Sequence, residues 1–162
     1  MREAQRGSAA ALEQLFRSHW PRAYRTALVV VGDAAAAEDI AQESFLAAVR
    51  ALDRFDRRRP FGPWLHRIVV NRAIDWARAR SLRRELDVEA VAEPAAPEPE
   101  RVEELTRVLT ELGPEHRAVI VLRYLLEYTP GEIADLLDLP RGTVNSRLRR
   151  GLDRLEEALR DE

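Results

Sequence analysis

"TPGEIADLLDLPRGTVNSRLRRGLDRLEEAL", residues 129–159, decides how this chain is read. Thr129 to Glu132 has the form T-x-x-E, with Pro130 at the first helical position. That is a capping box, in which the Thr and Glu side chains satisfy the free N–H groups of a helix start. The helix it opens is predicted to end near Leu137. Asp138, Leu139 and Pro140 make a turn, and a second helix starts near Gly142 or Thr143. On that helix Val144, Leu148, Leu152, Leu155 and Leu159 fall at the spacing of a buried stripe.

A short capped helix, a tight turn and a second helix with a polar start describe a helix-turn-helix. Asn145, Ser146, Arg149 and Arg150 lie off the apolar stripe. In the DNA major groove, Arg can contact guanine bidentately and Asn can contact adenine. The helix N-terminus, with Arg141 or Arg147, can hold phosphates. The same spacing fits an ordinary helical hairpin with a solvated Arg/Glu face, so the pattern alone leaves both readings open.

The rest of the chain is equally helical in character. It has 162 residues, 46% hydrophobic and 33% charged, enough to bury a core and too apolar for broad disorder. Ala, Leu, Arg and Glu dominate, which favours helix. There is no cysteine, which removes disulfides and thiolate metal sites. His19, His66 and His116 are far apart in the chain and are expected at surface or half-buried helix positions. No metal or cofactor site is expected. No apolar run reaches membrane-spanning length and no secretory signal is expected at the start, so the expectation is a soluble, cytoplasmic protein.

Charge divides the sequence. Residues 1–84 hold sixteen arginines and nine carboxylates; residues 85–104 hold eight carboxylates and one arginine. Every basic residue is Arg, the residue best suited to planar contacts with phosphate or guanine, although base composition of the genome would also produce this. "ELDVEAVAEPAAPEPE", residues 85–100, is rich in Pro, Ala and Glu and is expected to be an extended linker, spanning at most about 50 Å. The predicted organisation is all-α: a helical domain over 1–84, the linker, and a second helical domain over 101–162 that contains the helix-turn-helix.

In the first domain, Ser8 is expected to cap a helix carrying Leu12, Leu15, Phe16 and His19 on one face. A separate helix is expected from Pro21 to Val31, stopped by Gly32. Asp33 should cap a long helix burying Ile40, Phe45, Val49 and Leu52. After the loop "DRRRPFGP", Pro63 should open a helix with Leu65, Ile68, Val69, Arg72 and Trp76 along its buried stripe. Trp64, Arg67, Asn71, Asp75 and Arg78 share its other side. Arginines among Phe55, Phe61, Trp64 and Trp76 suit single-stranded nucleic acid, where bases stack and phosphates pair. Trp76 reads better as core; Trp64 fits core and base stacking equally. In the second domain, helices are expected near Val102 and from Pro114 through "EHRAVIVLRYLL".

Together "AEDIAQESFLAAVRAL", the "F-x5-F-x2-WLxRIxxNxAxD" pattern and "GEIADLLDLPRGTVNSRLRRGLDRL" resemble bacterial sigma factors of the extracytoplasmic-function group. The resemblance covers nearly the whole chain, in order. It implies a promoter-recognition subunit of RNA polymerase that works by binding and is not an enzyme. Asp39, Gln42 and Glu43 then match the segment docking on the polymerase β′ clamp helices. Arg57, Arg58, Arg59, Phe61, Trp64, Arg67 and Asn71 match the segment that reads and opens the −10 element, with Asn71 beside the pocket for a flipped base. Arg141, Thr143, Asn145, Ser146, Arg147, Arg149 and Arg150 match the −35 reading helix, and the helix over 114–126 matches the part meeting the β flap. Core RNA polymerase, promoter DNA and an anti-sigma factor are the implied partners. Two departures from many relatives stand out: Arg57 to Pro60 replaces a Gly-Asp-Ser type loop, and Asn145 replaces a basic residue.

Three other readings compete. A duplex-binding repressor or activator leaves "AEDIAQESF" and the Arg/aromatic loop without a role. A helical adaptor is favoured only by the net acidity of the second half. An enzyme would need a phosphate loop, clustered histidines or an acidic dyad, and the sequence has none of these.

Overall fold

Ser8 opens the first long helix as expected: its Oγ accepts from the Ala11 N–H at 3.4 Å. In this computed structural model, which describes residues 1–86 and 106–160, the order is α1 (Arg2–Gln5), α2 (Ala9–Val31), α3 (Ala34–Arg50) and α4 (Phe61–Leu86), then α5 (Pro114–Ile120), α6 (Pro130–Leu137) and α7 (Arg141–Arg160). A 3-10 turn, Leu52–Arg54, follows α3, and a π turn, Val121–Leu125, continues α5. Residues 106–110 are also helical. Among the described residues there is no strand, so the chain is all-α. The linker expected over 85–100 lies outside the described residues from 87 onward, as does the helix start expected near Val102; α4 itself runs on to Leu86.

The two helices expected on either side of Pro21 are one helix of 23 residues. Proline removes the N–H that would bond the carbonyl of Arg17, but Arg17 and Pro21 are both exposed, so water can take that carbonyl. Packing of the flanking turns against α3 and α4 then holds the helix together. Gly32 does end it, at φ 67°, with its N–H on the Leu28 carbonyl at 2.7 Å. Asp33 caps α3 through the Ala36 N–H at 2.9 Å and pairs with Arg80 of α4 at 2.8 Å. The N–H of Ala36 and the Arg80 guanidinium hold its carboxyl below the usual carboxylate range.

On α3 the buried face is Ala36, Ala37, Ile40, Ala41, Ser44, Phe45 and Ala48, and its alanines and Ser44 let α2 and α4 approach. Val49, expected in the core, is 37% exposed. Helix α4 begins two residues before Pro63 and buries Leu65, His66, Val69, Val70, Ala73, Ile74 and Ala77. Ile68, Arg72 and Trp76 of the expected stripe are only half-buried. The difference has a cause: α4 packs against α2 and α3 on one side and against α5 and α6 on the other, so its buried surface is broader and rotated.

The second half is built around α5, α6 and α7. The capping box at Thr129 and Glu132 is present in both directions. Asp138 closes α6 in the left-handed region at φ 54°, a conformation that Asp tolerates, and α7 starts at Arg141 rather than at 142 or 143. Val144, Leu148 and Gly151 are buried, whereas Leu152 and Leu159 are 41% and 61% exposed. The expected stripe stops being core there because α7 runs on past α5 and α6. A Cβ added at Gly151 would meet Ile120 at 3.2 and 3.3 Å, so the glycine lets α7 lie close on α5. The apolar core passes without a break from α2 and α4 into α5, α6 and α7.

Candidate nucleic-acid interface

The loop between α3 and α4 is built from its anchors outward. Gln5 of α1 donates through Nε2 to the carbonyls of Leu52 and Phe55, at 2.8 and 3.0 Å. Asp56 then organises the tip: its Oδ1 accepts from the Arg58 N–H and from Arg58 Nε, at 3.0 and 3.1 Å. Those two bonds, with Arg59 and Arg57 nearby, hold the Asp56 carboxyl below its ordinary range. Arg57, Arg58, Arg59 and Pro60 are all exposed. No local signal marks Gln5, about fifty residues away, as the brace of this loop.

Beneath the arginines lies an aromatic cluster. Phe55 packs on Trp64 at 4.7 Å between ring centroids, and Phe61 on Trp64 at 5.7 Å. Phe61 also meets Phe45 at 6.1 Å and His19 at 5.0 Å. At 7% exposure Phe61 is core, and its part in the −10 segment is to support Trp64, which it contacts. Trp64 is half-buried, one side on the cluster and the rest lining an open cleft. Trp76 is half-buried, with the Arg80 guanidinium 5.1 Å over its ring. Arg67 and Asn71 are exposed on α4, and with Trp64 they follow the i, i+3, i+7 spacing of one helix face.

The cleft has a volume of about 680 Å³. Arg54, Phe55, Arg59, Trp64 and Arg67 line one side of it, and Tyr128, Glu132 and Asp135 from the second half line the other. Tyr128, which lines this cleft, is hydrogen-bonded through its hydroxyl to His66 Nδ1 at 2.7 Å. Burial, with the charges of Arg22 and His19, pushes the His66 imidazole down to about 4. Burial pushes the Tyr128 phenol up to about 12. His19 and His66, remote in sequence, both approach Gly62.

On α3, Asp39, Gln42 and Glu43 are exposed together, and Glu43 pairs with Arg72 of α4 at 3.0 Å. Leu46, one turn beyond Gln42 and Glu43 on the same helix, is 55% exposed. It escaped the sequence reading because it lies off the predicted apolar stripe and was assigned to neither face. On α7, Arg141, Asn145 and Arg149 are exposed at i, i+4, i+8, with Arg150 beside them; Thr143, Ser146 and Arg147 are half-buried. Arg147 also lies within electrostatic reach of Glu115 on α5.

The arrangement matches known proteins along both halves. Residues 15–83 match the family described as Sigma-70 region 2, and residues 102–155 match Sigma-70, region 4. "ECF RNA polymerase sigma factor SigW" of Bacillus subtilis is 33% identical over 99% of this chain and 95% of its own length. The chain belongs to the extracytoplasmic-function group of the sigma-70 family. "RNA polymerase sigma factor CarQ" of Myxococcus xanthus is 32% identical over 94% of this sigma factor and 91% of CarQ. Among solved structures, CnrH, determined in complex with the cytosolic domain of CnrY, is 28% identical, with a TM-score of 0.76 over 99% of this chain and 95% of that one. RpoE of Bartonella quintana, determined with the anti-sigma factor NepR, shares the fold at a TM-score of 0.77 and 22% identity over 91% of this chain and 96% of that one. The protein is therefore a sigma factor, which directs promoter-specific initiation of transcription. Among the described residues no helix is long and apolar enough to cross a membrane.

Proposed function

We propose that residues 1–84 dock on core RNA polymerase and open the −10 element, that residues 101–162 read the −35 element, and that 85–100 join the two. The observation carrying this reading is the loop over 56–60, an exposed arginine tip seated on an aromatic cluster beside Trp64, Arg67 and Asn71. Bases that leave a duplex need stacking surfaces and edge-reading polar groups, and their phosphates need cations. Asn71 supplies a donor and an acceptor for a base edge. Arg57, Arg58, Arg59 and Arg67 supply the cations, and Trp64 walls the pocket.

Asp39, Gln42 and Glu43 form the docking face for the β′ clamp helices, and the helix over 114–126 meets the β flap. On α7, Arg149, Arg150 and Asn145 read bases, while Arg141, Thr143, Ser146 and Arg147 position the helix on phosphates. The chain works by binding, without a cofactor and without catalysing a reaction itself, in the cytoplasm with the polymerase. An anti-sigma factor is a further partner, by analogy with the RpoE–NepR complex. The test is run-off transcription with purified core polymerase on a pool of genomic fragments. Discrete promoter-dependent transcripts that require this chain support the assignment; core polymerase that initiates no differently with the chain present overturns it.

A further inference from the structure

Helix α1 lies outside the stretch matched to Sigma-70 region 2, which starts at residue 15, yet it is built into the loop between α3 and α4. The end of α1 is fixed by two bonds. Gly7, in the left-handed region at φ 84°, donates its N–H to the Ala4 carbonyl at 3.0 Å, and the Ser8 N–H bonds the Glu3 carbonyl at 3.0 Å. That pair of bonds is a Schellman stop. Ser8 is at the same time the cap of α2, so the turn between the two helices has no slack residue. The buried Ala4 seats α1 on the core.

From this seat Gln5 reaches the loop. A side-chain amide nitrogen carries two N–H groups. Gln5 gives one to the Leu52 carbonyl and one to the Phe55 carbonyl. The Leu52 carbonyl also accepts from the Phe55 N–H at 3.2 Å, which closes the 3-10 turn. Phe55 is extended, at ψ 127°, so the chain leaves the turn there, and its buried ring lies on Trp64. The next residue, Asp56, starts the tip: its carbonyl accepts from the Arg59 N–H at 2.9 Å, and its carboxylate accepts from Arg58. The tip is therefore stiff within itself, but Arg57, Arg58, Arg59 and Pro60 are all exposed. Its direction is inherited from the Phe55 peptide, and Gln5 holds that peptide by its carbonyl.

We propose that Gln5 is a positioning residue for −10 recognition: from α1 it fixes the Phe55 carbonyl, and so aims the 56–60 tip and the ring that backs Trp64. Both of its donors are engaged by main chain, so it acts through the loop and not on DNA. The proposal rests on the assignment of the 56–60 loop and α4 to the −10 element. A loop released from Gln5 keeps every arginine and still attracts phosphate, which carries no sequence information. It loses the fixed placement by which a pocket prefers one base to another. Strength of binding and choice of base should therefore separate.

Gln5→Met keeps the length of the side chain and removes both donors. The full chain is mixed with core polymerase and with promoters substituted singly across the −10 element, on a constant −35 element, and opening is read by permanganate. The ratio of opening on the preferred promoter to opening on the substituted ones should fall on the order of fivefold, within the range of one lost base contact. Gln5→Lys returns a donor group that two carbonyls can share, and it should recover most of the ratio. Affinity for core polymerase and dependence on the −35 element should stay at the wild-type level in both. A wild-type ratio in Gln5→Met overturns the proposal. So does an equal loss of opening on every promoter, or no recovery in Gln5→Lys, since either marks Gln5 as packing alone.

Gln5→Glu provides a second variant of the same size, with carboxylate oxygens set against two carbonyl oxygens and no donor between them. Its ratio should fall at least as far as that of Gln5→Met, and a wild-type ratio there also overturns the proposal. The triple variant Arg57→Ala/Arg58→Ala/Arg59→Ala separates the proposal from the assignment beneath it. If the triple variant opens every promoter as wild type does, the −10 assignment of the loop fails first. If it loses opening while Gln5→Met keeps the wild-type ratio, the loop assignment stands and the positioning role alone falls.

Discussion

Glu43 of α3 and Arg72 of α4 form an ion pair at 3.0 Å, so a carboxylate of the proposed docking face is tied to the residue beside Asn71. Glu43 is exposed and Arg72 half-buried, so the pair is open to solvent, and such pairs contribute about 0–1 kcal/mol. Reversing charge with Asp39→Arg and Glu43→Arg should therefore change unfolding free energy by less than about 1 kcal/mol. Affinity for core polymerase should fall sharply, as seen in a pull-down titration alongside urea melts. Undiminished affinity would remove α3 from the docking role.

Asn71 is exposed and has no packing role, so Asn71→Ala should leave stability within about 0.5 kcal/mol. Its effect should appear in strand opening. Permanganate reactivity of −10 thymines should drop on duplex promoter and largely recover on a template already mismatched at −10. Normal opening on duplex DNA would return Asn71 to the solvated surface.

Arg149 and Arg150 are both exposed on α7. If either reads a base, its alanine variant should lose about 1–3 kcal/mol on the preferred −35 sequence and relax discrimination at one position. A phosphate contact would instead weaken all sequences alike and reduce the salt slope. Promoters substituted singly across the −35 element, assayed at two salt concentrations, distinguish these results. Retention of full −35 dependence by both variants would refute the reading.

His66 predicts an acid limit to stability. Its ordinary value of 6.5 is pushed down to about 4 in the fold, because burial and the charges of Arg22 and His19 disfavour the imidazolium. The unfolded chain thus binds the proton more readily than the folded one. Stability should be complete above the ordinary value and decline as pH falls toward the folded one, by up to about 3 kcal/mol. Urea denaturation at pH 7, 5.5 and 4.5 should show the decline, and His66→Gln should flatten it. His19 and His116, also shifted down, contribute the slope that remains.

Much of this was legible before the fold. Ser8, Asp33, Gly32 and the Thr129–Glu132 box announce themselves, because capping depends on a few neighbouring atoms and on little else. The misreadings were of tertiary origin. Pro21 reads as a helix break locally, yet its missing bond faces solvent and both flanking turns are packed. Leu152 and Leu159 read as core because periodicity reports amphipathicity, not whether anything covers the stripe. The arginine loop was visible as composition, but its brace at Gln5 and the burial of Phe61 depend on contacts that no local window contains. Nothing in its local sequence marks Arg117, a buried arginine that donates to main-chain carbonyls of both halves. Its isolation among main-chain carbonyls arises only where the end of α2 meets the second half.

Gly151 gives the recognition helix a separate adjustment. The side chains proposed to address the duplex, Asn145, Arg149 and Arg150, are exposed on α7, while the depth of its seat is set where Gly151 rests on Ile120. What the helix says to DNA and the angle at which it says it are thus written at different positions. Bulk added at Gly151, or volume altered at Ile120, would re-aim all three side chains together without changing any of them. If α7 reads the −35 element as proposed, promoter choice in this chain can be retuned from inside the protein, at Gly151, a buried residue.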